Sequence, residues 1–559
     1  MVTSELFALD SLDLPEEMRQ AVEHGEVFTR RWVVDVILDL VGYTAEKRLS
    51  DMVIVEPACG GGAFVEAIVE RLSESCRTYG VPLSEAHQAI RASDLLDHNV
   101  KLTRDRAREQ LLAGGWGDAE VDAAVRNWVF QSDYLLRQPE GDSADFVVGN
   151  PPYIRLEDVP AVRSRAYRRA CPTMGGRADI YVGFYEVGLR NLKPGGRLGY
   201  ICADRWMRNQ YGRELRRMVA ESYSVEMVLT MHDVDAFDEA VTAYPAITII
   251  RNGQQSNAIA ADATRDFDAP EAKKLLHWVS GRGNRVRTAS YHAARLPHWF
   301  KDGDSWPAAS PARLAMLEEL AGRFPLLEDK ATGTRVGIGI ATGADKVFVV
   351  DGNGQTGVER DRLLPLAMVR DTRSGELRWG GSCLVNPWSC AGELVNLADY
   401  PGLARYYESH ADVLRNRYVA AKQPAKWYKT IDKVDHSLIG RPKLLLPDMK
   451  MTIHPVLDEG GLYPHHNLYF VVSNVWDMKV LGGLLLSEVA EAFVSAYAVK
   501  MRGGTLRFQA QYLRKIRIPA ADAISDEDKV ALSDAFVERD VRAATVAAMR
   551  AYGIAEIPE

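Results

Sequence analysis

The chain has 559 residues, of which 47% are hydrophobic and 26% charged, enough to build at least two buried cores. A formal net charge of −8 argues against indiscriminate binding to nucleic acid but leaves room for a local basic groove, since phosphate attraction depends on local charge. Six cysteines (59, 76, 171, 202, 383 and 390) fall without paired ligand spacing, residues 1–18 are acidic, and the longest apolar run, 481–490, is broken by Glu488. These features exclude a disulfide framework, a zinc ribbon, a secretory signal and a membrane span, and fit a cytoplasmic protein with reduced thiols.

Residues 25–29 lead into residues 31–41, where Val33, Val34, Ile37, Leu38 and Val41 share one helical face and Thr29 is placed to cap it. Residues 52–56 read as a buried strand ending at Glu56. Then come Pro57-Ala58-Cys59-Gly60-Gly61-Gly62-Ala63-Phe64 and a helix to about residue 72. The spacing is not that of a dinucleotide fingerprint. Three glycines let a ligand approach the backbone, and Glu56 favours a cationic or hydroxylated one. A bare glycine turn is the plain alternative.

Residues 89–93 form a second strand ended by Asp94, the place where nucleoside-binding α/β folds hold ribose hydroxyls. Residues 128–132 form a third, followed by Asp133, and residues 145–149 a fourth, followed by Asn150-Pro151-Pro152-Tyr153. Two prolines stiffen this exit and forbid helix, at the sheet edge where open α/β folds bind ligands. An exocyclic amino group on a base is a poor nucleophile because its lone pair is delocalised into the ring. The Asn150 side-chain oxygen and the Pro151 carbonyl could accept its two N–H bonds and free that lone pair, while the Tyr153 ring stacks on the base. The plain alternative is an ordinary strand-to-loop exit.

Arg155, Arg163, Arg165, Arg168 and Arg169 follow, either a solvated helix face or a DNA-facing loop. Residues 179–192 read as helix, 193–196 as a turn and 197–203 as a strand. Residues 225–231 and 246–251 close the sheet, with Phe237 on the loop between them. The alternation predicts an α/β doubly wound, Rossmann-like sheet with an antiparallel edge.

Together these stretches resemble the S-adenosylmethionine-dependent N6-adenine DNA methyltransferases of the gamma class, the TaqI type. The likeness is strong over residues 24–252, through Glu56–Phe64, Asn150–Tyr153, and Asp179-Ile180-Tyr181 through Leu192–Gly196, and weak beyond. It implies that Thr29, Glu56, Ala58, Gly60, Gly62, Asp94, Asp133 and Asn150 border S-adenosylmethionine, with Asp94 on the ribose and Asp133 near the adenine amino group. It also implies that Asn150, Pro151, Tyr153 and Phe237 surround a flipped adenine, which attacks the methyl directly, without a metal or covalent intermediate. One departure stands out: the family usually has Thr-Pro where this chain has Thr29-Arg30.

Residues 1–255 are thus expected to be the catalytic domain, 256–305 a polar connector, and 306–559 a mixed α/β target-recognition domain. In the last, Arg415, Arg417, Lys422, Lys426, Lys429 and Lys433 interleave with Tyr418, Trp427 and Tyr428. Arg502–Phe508 carries a second basic and aromatic cluster. Such mixtures suit phosphate contacts plus stacking, against a solvated face as the alternative. Arg155, Lys426, Trp427, Lys429 and Arg507 are the DNA-contact candidates. No acid-acid-lysine pattern of a metal nuclease occurs, so the expected partners are duplex DNA and a separately encoded restriction endonuclease. Rival readings are methylation of a ribosomal RNA base or a protein glutamine, methylation of a cytosine amino group, for which the family pattern favours Ser over Asn150, and an inactive DNA-binding subunit.

Overall fold

The structure is a computed structural model that describes residues 29–137, 143–238, 244–300, 303, 305–498 and 506–558. Residues 1–28 and 501–505, which include the acidic start and the Arg502–Thr505 basic run, lie outside the described residues. The chain divides into two compact units after Ala315.

Ten strands of the first unit share one sheet: β1 (Ile54–Glu56), β2 (Ile90–Asp94), β3 (Val129–Gln131), β4 (Ala144–Gly149), β5 (Leu192–Ala203), β6 (Tyr223–Thr230), β7 (Pro245–Asn252), β8 (Ala258–Ala263), β9 (Arg285–Arg287) and β10 (Tyr291–Leu296). Their order is β3-β2-β1-β4-β5-β7-β6-β8-β10-β9. β1 to β5 are mutually parallel, and β7 runs antiparallel to both β5 and β6. Side chains alternate across the sheet: Phe146 and Val148 of β4 enter one core and Val147 the other. The first core receives the helix Arg31–Val41, whose predicted apolar face is fully buried, and the second receives the helix Tyr181–Asn191. Such two-sided cover is what lets short parallel strands be apolar throughout.

Four local expectations change. Thr29 does not cap the first helix; Arg30 is its N-cap residue, without a side-chain bond, and Thr29 turns to Asn150 instead. The stretch 193–196 is no turn but a bulged part of β5, where the pairing with β4 slips and Gly195 takes φ +82°. β7 is not an edge, because the sheet continues past it through β6, β8, β10 and β9. Nor is 256–305 a connector. It supplies β8, β9, β10 and the helix Ala269–Ser280, capped by Asp268 with Pro270 in its first turn. Five of the six β8 residues are buried. They are mostly alanine, which has little strand preference, so burial against β6 and β10 decides their state and local pattern does not.

The second unit contains two four-stranded sheets. One orders Arg335–Ile338, Leu468–Val472, Lys443–Pro447 and Val456–Asp458; the other orders Val349–Asp351, Ser382–Val385, Leu363–Ala367 and Tyr463–Pro464. Its core holds a fully buried ion pair, Lys443 to Asp458 at 2.9 Å, with Lys443 also donating to the Leu462 carbonyl. No single helix among the described residues is long and apolar enough to cross a membrane. The apolar pair Met478–Leu486 and Glu488–Tyr497 is buried in this unit.

Candidate active site

Parallel register gathers the motif residues at one edge. Glu56 ends β1, Asp94 ends β2, Asp133 lies two residues past β3, and Asn150 follows β4 directly. Thr29, Ala58, Gly60, Asp94, Asp133 and Asn150 line one cleft, together with Tyr134, Ile154, Val159, Tyr167 and Phe184. Asp94 is almost fully buried and held by three donors: Gly60 N at 2.9 Å, Leu96 N at 2.9 Å and Asn99 Nδ2 at 3.2 Å. A carboxylate offers about four lone-pair positions, so it can still accept from a hydroxyl.

Glu56 and Gly62 do not line the cleft. Gly62 stands behind it in the left-handed region (φ +87°), where a Cβ would meet Thr103 at 3.1 Å. Glu56 is 1% exposed; its Oε1 accepts a long bond from Ala58 N (3.4 Å), and its Oε2 has no partner. Burial, reinforced by Asp94, pushes its carboxyl well above the usual range. The strand next door has made room for it: a Cβ on Gly149, at φ +155°, would sit 2.5 Å from Glu56 Oε1.

The catalytic candidates meet through Thr29. Asn150 Nδ2 donates to Thr29 Oγ1 at 3.2 Å, which turns the amide oxygen the other way. Thr29 forms an isolated antiparallel bridge with Phe237, so the loop carrying Phe237 is tied to the amide. Arg30, the departure noted above, fastens that loop: its backbone N–H donates to Ala236 O, its Nε to Phe237 O at 3.0 Å, and its Nη2 pairs with Asp235 at 2.6 Å. A bidentate side chain here does a job that a proline ring could not. Pro151, Tyr153 and Phe237 lie outside the cleft lining. Tyr153 packs edge-on to Tyr181, its hydroxyl 3.5 Å from the Ile201 carbonyl, and burial raises its pKa.

The basic segment after the motif divides. Arg163 approaches Asp133 at 3.5 Å, and Tyr167 donates to the same carboxylate at 2.9 Å. Burial raises the Asp133 carboxyl, and Arg163 and Tyr167 oppose that shift. Arg168 pins the carbonyls of Met174 and Gly176. Arg155 stays two-thirds exposed, with only Glu157 at 3.9 Å. The sequence reading did not connect Arg163 and Tyr167 with Asp133. Their i, i+4 spacing on the helix Ala161–Ala170 was the signal that puts them on one face.

Reasoning from sequence also missed a buried acid on the neighbouring loop. Asp204 follows β5 and receives Arg208 at 2.5 Å and His232 at 2.9 Å. Burial alone would raise its pKa, but these two partners outweigh it and hold the group below the carboxylate range.

In the second unit the DNA-contact candidates are scattered. Lys426 is exposed, Trp427 is half-buried under the Arg415 guanidinium (4.5 Å to the ring), and Lys429 reaches Gln423 at 3.0 Å. Arg507 is held by Asp448, and its strand Leu506–Arg507 pairs with Met449–Lys450 in a separate two-stranded sheet.

The cleft fits S-adenosylmethionine chemically: a buried acid for a diol, aromatic walls for a base, close backbone at Gly60, and near the turn a buried carboxylate oxygen without a partner. The family described as Eco57I restriction-modification methylase matches residues 78–237. The type II methyltransferase M.PaeR7I of Pseudomonas aeruginosa is 42% identical over 536 residues, covering 95% of this chain and 92% of its own. M.XhoI of Xanthomonas vasicola is 40% identical over 96% of this chain and 98% of its own, and M.BstVI of Geobacillus stearothermophilus 38% over 91% and 92%.

The chain belongs to the type II methyltransferases of restriction–modification systems.

The methyltransferase therefore takes its methyl group from S-adenosylmethionine. Its likeness to these relatives runs through both units, not the cleft alone.

Proposed function

We propose that the methyltransferase transfers a methyl group to the N6 amino nitrogen of an adenine flipped out of duplex DNA, as the modification partner of a separately encoded endonuclease. The observation that carries this reading is the Asn150–Thr29–Phe237 linkage at the lip of a cleft lined by Asp94 and Asp133.

Thr29, Ala58, Gly60, Asp94, Asp133 and Asn150 would hold S-adenosylmethionine, with Asp94 on the ribose and Asp133 on the adenine amino group. S-adenosylmethionine supplies a methyl already activated by its sulfonium charge, so the chain's task is to position and prepare the amine. The Asn150 amide oxygen and the Pro151 carbonyl accept the two N–H bonds of the target, drawing its nitrogen toward tetrahedral geometry. Thr29 fixes the amide for that role. Tyr153 and Phe237 flank the base, and their stacking offsets the few kcal/mol that flipping costs. The proton lost from the nitrogen leaves to water. The second unit serves as the target-recognition domain, with Lys426, Trp427, Lys429 and Arg507 as backbone or base contacts, and Arg155 of the first unit as a further one. The cytoplasm, where DNA and free thiols coexist, is the setting; all six cysteines are unpaired.

The test is to express the chain in cells lacking methylases, hydrolyse their DNA and separate the nucleosides by mass spectrometry. N6-methyl-2′-deoxyadenosine is expected. N4-methyl-2′-deoxycytidine in its place overturns the adenine assignment, and single-molecule sequencing of the same DNA reports the recognised sequence.

A further inference from the structure

We propose that the second unit binds one divalent transition-metal ion, of the zinc class, between Asp345, His465 and His466. One nitrogen from each imidazole and one carboxylate oxygen lie within 4.8 Å of one another. His465 Nε2 stands 3.0 Å from Asp345 Oδ2. Two ligands each about 2.1 Å from a tetrahedral ion stand about 3.4 Å apart, so an opening of a few tenths of an ångström turns this hydrogen-bonded pair into two ligands of one ion. The two imidazole rings lie 4.1 Å apart. Nδ1 of His465 and Nδ1 of His466 are both buried without a hydrogen-bond partner. Two ring nitrogens withdrawn from water side by side, with nothing given in return, are unusual in a folded chain. His465 would meet the ion through the Nε2 beside Asp345, so of these two unpartnered atoms it is the Nδ1 of His466 that the ion can satisfy.

The three groups are set by backbone and not by chance contact. His465 is 2% exposed, and Ile340 pairs with it across a parallel bridge. Its N–H donates to Ala367 O, and that of His466 donates to Ile340 O. Asp345 opens the short helix Asp345–Phe348, and its other oxygen takes the Thr342 hydroxyl at 2.5 Å. The Asp345 side chain is 45% exposed, which leaves a path of entry. Two imidazoles and one carboxylate suit zinc, cobalt or nickel and disfavour magnesium, which prefers an oxygen set. If His465 Nε2 now carries the proton shared with Asp345, that proton would pass to Nδ1 as the ion enters, which frees the Nε2 lone pair to ligate.

The consequence lies on the loop's other side. Thr342 O accepts from Ile431 N and from Arg417, and Ala341 O accepts from Asp432 N. An ion at Asp345 would brace the loop on which the Lys426–Lys433 stretch rests.

The test uses the full, untagged chain after chelator treatment, titrated with zinc chloride by calorimetry and with cobalt chloride by visible absorption. One ion per chain is expected. Asp345→Asn and His466→Gln should each weaken binding about tenfold or more, with circular dichroism unchanged. Cys390→Ser, which removes the exposed thiol, should bind as the wild type does. If either histidine-site variant unfolds, melting of the wild type decides: saturating zinc is expected to raise Tm by several degrees through linkage. Absence of binding up to about 1 mM zinc, binding unchanged in both site variants, binding lost with Cys390→Ser, or a Tm that zinc does not move each overturns the site.

Discussion

The carboxyl edge of the large sheet and the 415–433 stretch of the second unit both drew attention in the sequence, one for motifs and the other for charge. At the sheet edge, residue type and destination agree. Glu56, Asp94, Asp133 and Asn150 end or follow parallel strands, and register brings the last three to one cleft whatever their side chains prefer, with Glu56 buried behind it. In the 415–433 stretch, residue type says little about destination. Lys426 faces solvent, whereas Arg417, nine residues earlier, is turned inward. Its guanidinium bonds four carbonyls: Leu414 at 3.1 Å, Thr342 at 3.1 Å, Trp427 at 2.8 Å and Lys429 at 2.8 Å. It also covers the Phe348 ring at 5.1 Å. Backbone topology places chemistry reliably; the direction of a long charged side chain is decided by tertiary contacts that no local pattern carries.

The sharpest way to break this comparison is at Asn150. Asn150→Ala should abolish methyl transfer, a loss of about 3–4 kcal/mol or more in the transition state, as when one preorganised polar group is removed. Cofactor affinity, measured by calorimetry, should fall far less, because Asp94 and the Gly60 turn are untouched. A fall in affinity matching the fall in rate would make Asn150 a wall of the cleft and not a catalytic group.

Arg417 offers the matching break in the other region. Arg417→Ala would leave four carbonyls without their shared donor and should destabilise the second unit by about 2–3 kcal/mol, read as a lower Tm. Arg417→Lys should rescue little, because an ammonium cannot span a planar set of acceptors. Lys426→Ala, nine residues away, should leave Tm unchanged. If Lys426→Ala lowers Tm as much, the inward and outward division is wrong.

How far the sequence could be read follows the same divide. The helix 31–41, the four motif strands and the acids at their ends are legible because apolar runs of strand length end at polar residues. The β8–β10 extension is not, because Ala258–Ala263 has the composition of a linker and becomes strand only when covered. Arg163 reads in the sequence as part of either a solvated face or a DNA-facing loop, because its partner, Asp133, is 30 residues away and arginines surround it. Thr29 was read as a cap because its true partner, Asn150, is 121 residues away. The His465–His466 pair had no spacing signal at all, since its carboxylate comes from residue 345.

Glu56 sharpens the sheet-edge side by showing its cost. A carboxyl whose folded pKa is raised keeps a proton that the unfolded chain releases. Stability from this group is therefore intact below the ordinary carboxylate range and falls as pH rises through it toward the folded value. Glu56→Gln removes that dependence. It should stabilise the cofactor-free protein near neutral pH by about 1–2 kcal/mol, since an amide cannot ionise and the cost of keeping a buried carboxyl protonated is gone, and weaken cofactor binding. Melting against pH, in both proteins, is the measurement. A wild-type Tm that rises between pH 5 and 7 relative to the variant reverses the sign and discards the argument.

The smallest effect concerns the outward lysines, and it decides whether the second region touches DNA through them. Lys426 is exposed, and Lys429 meets only a neutral amide, that of Gln423. Neither is paired with an acid among the described residues, so both can move to a phosphate at little cost. Lys426→Ala and Lys429→Ala should each weaken binding by about 1 kcal/mol or less, equally on target and non-target duplex. The plot of log affinity against log salt should flatten by about one unit per lost phosphate contact. Uniform weakening is the signature of backbone contact, because phosphates carry no sequence. Trp427→Ala would behave differently. Its ring is half-buried beneath Arg415 and against Tyr428, so its loss should lower Tm before it alters DNA binding. Filter binding across a salt series on both duplexes separates these cases. An unchanged slope in both lysine variants removes them from the interface, and a changed sequence preference would make them readers of bases.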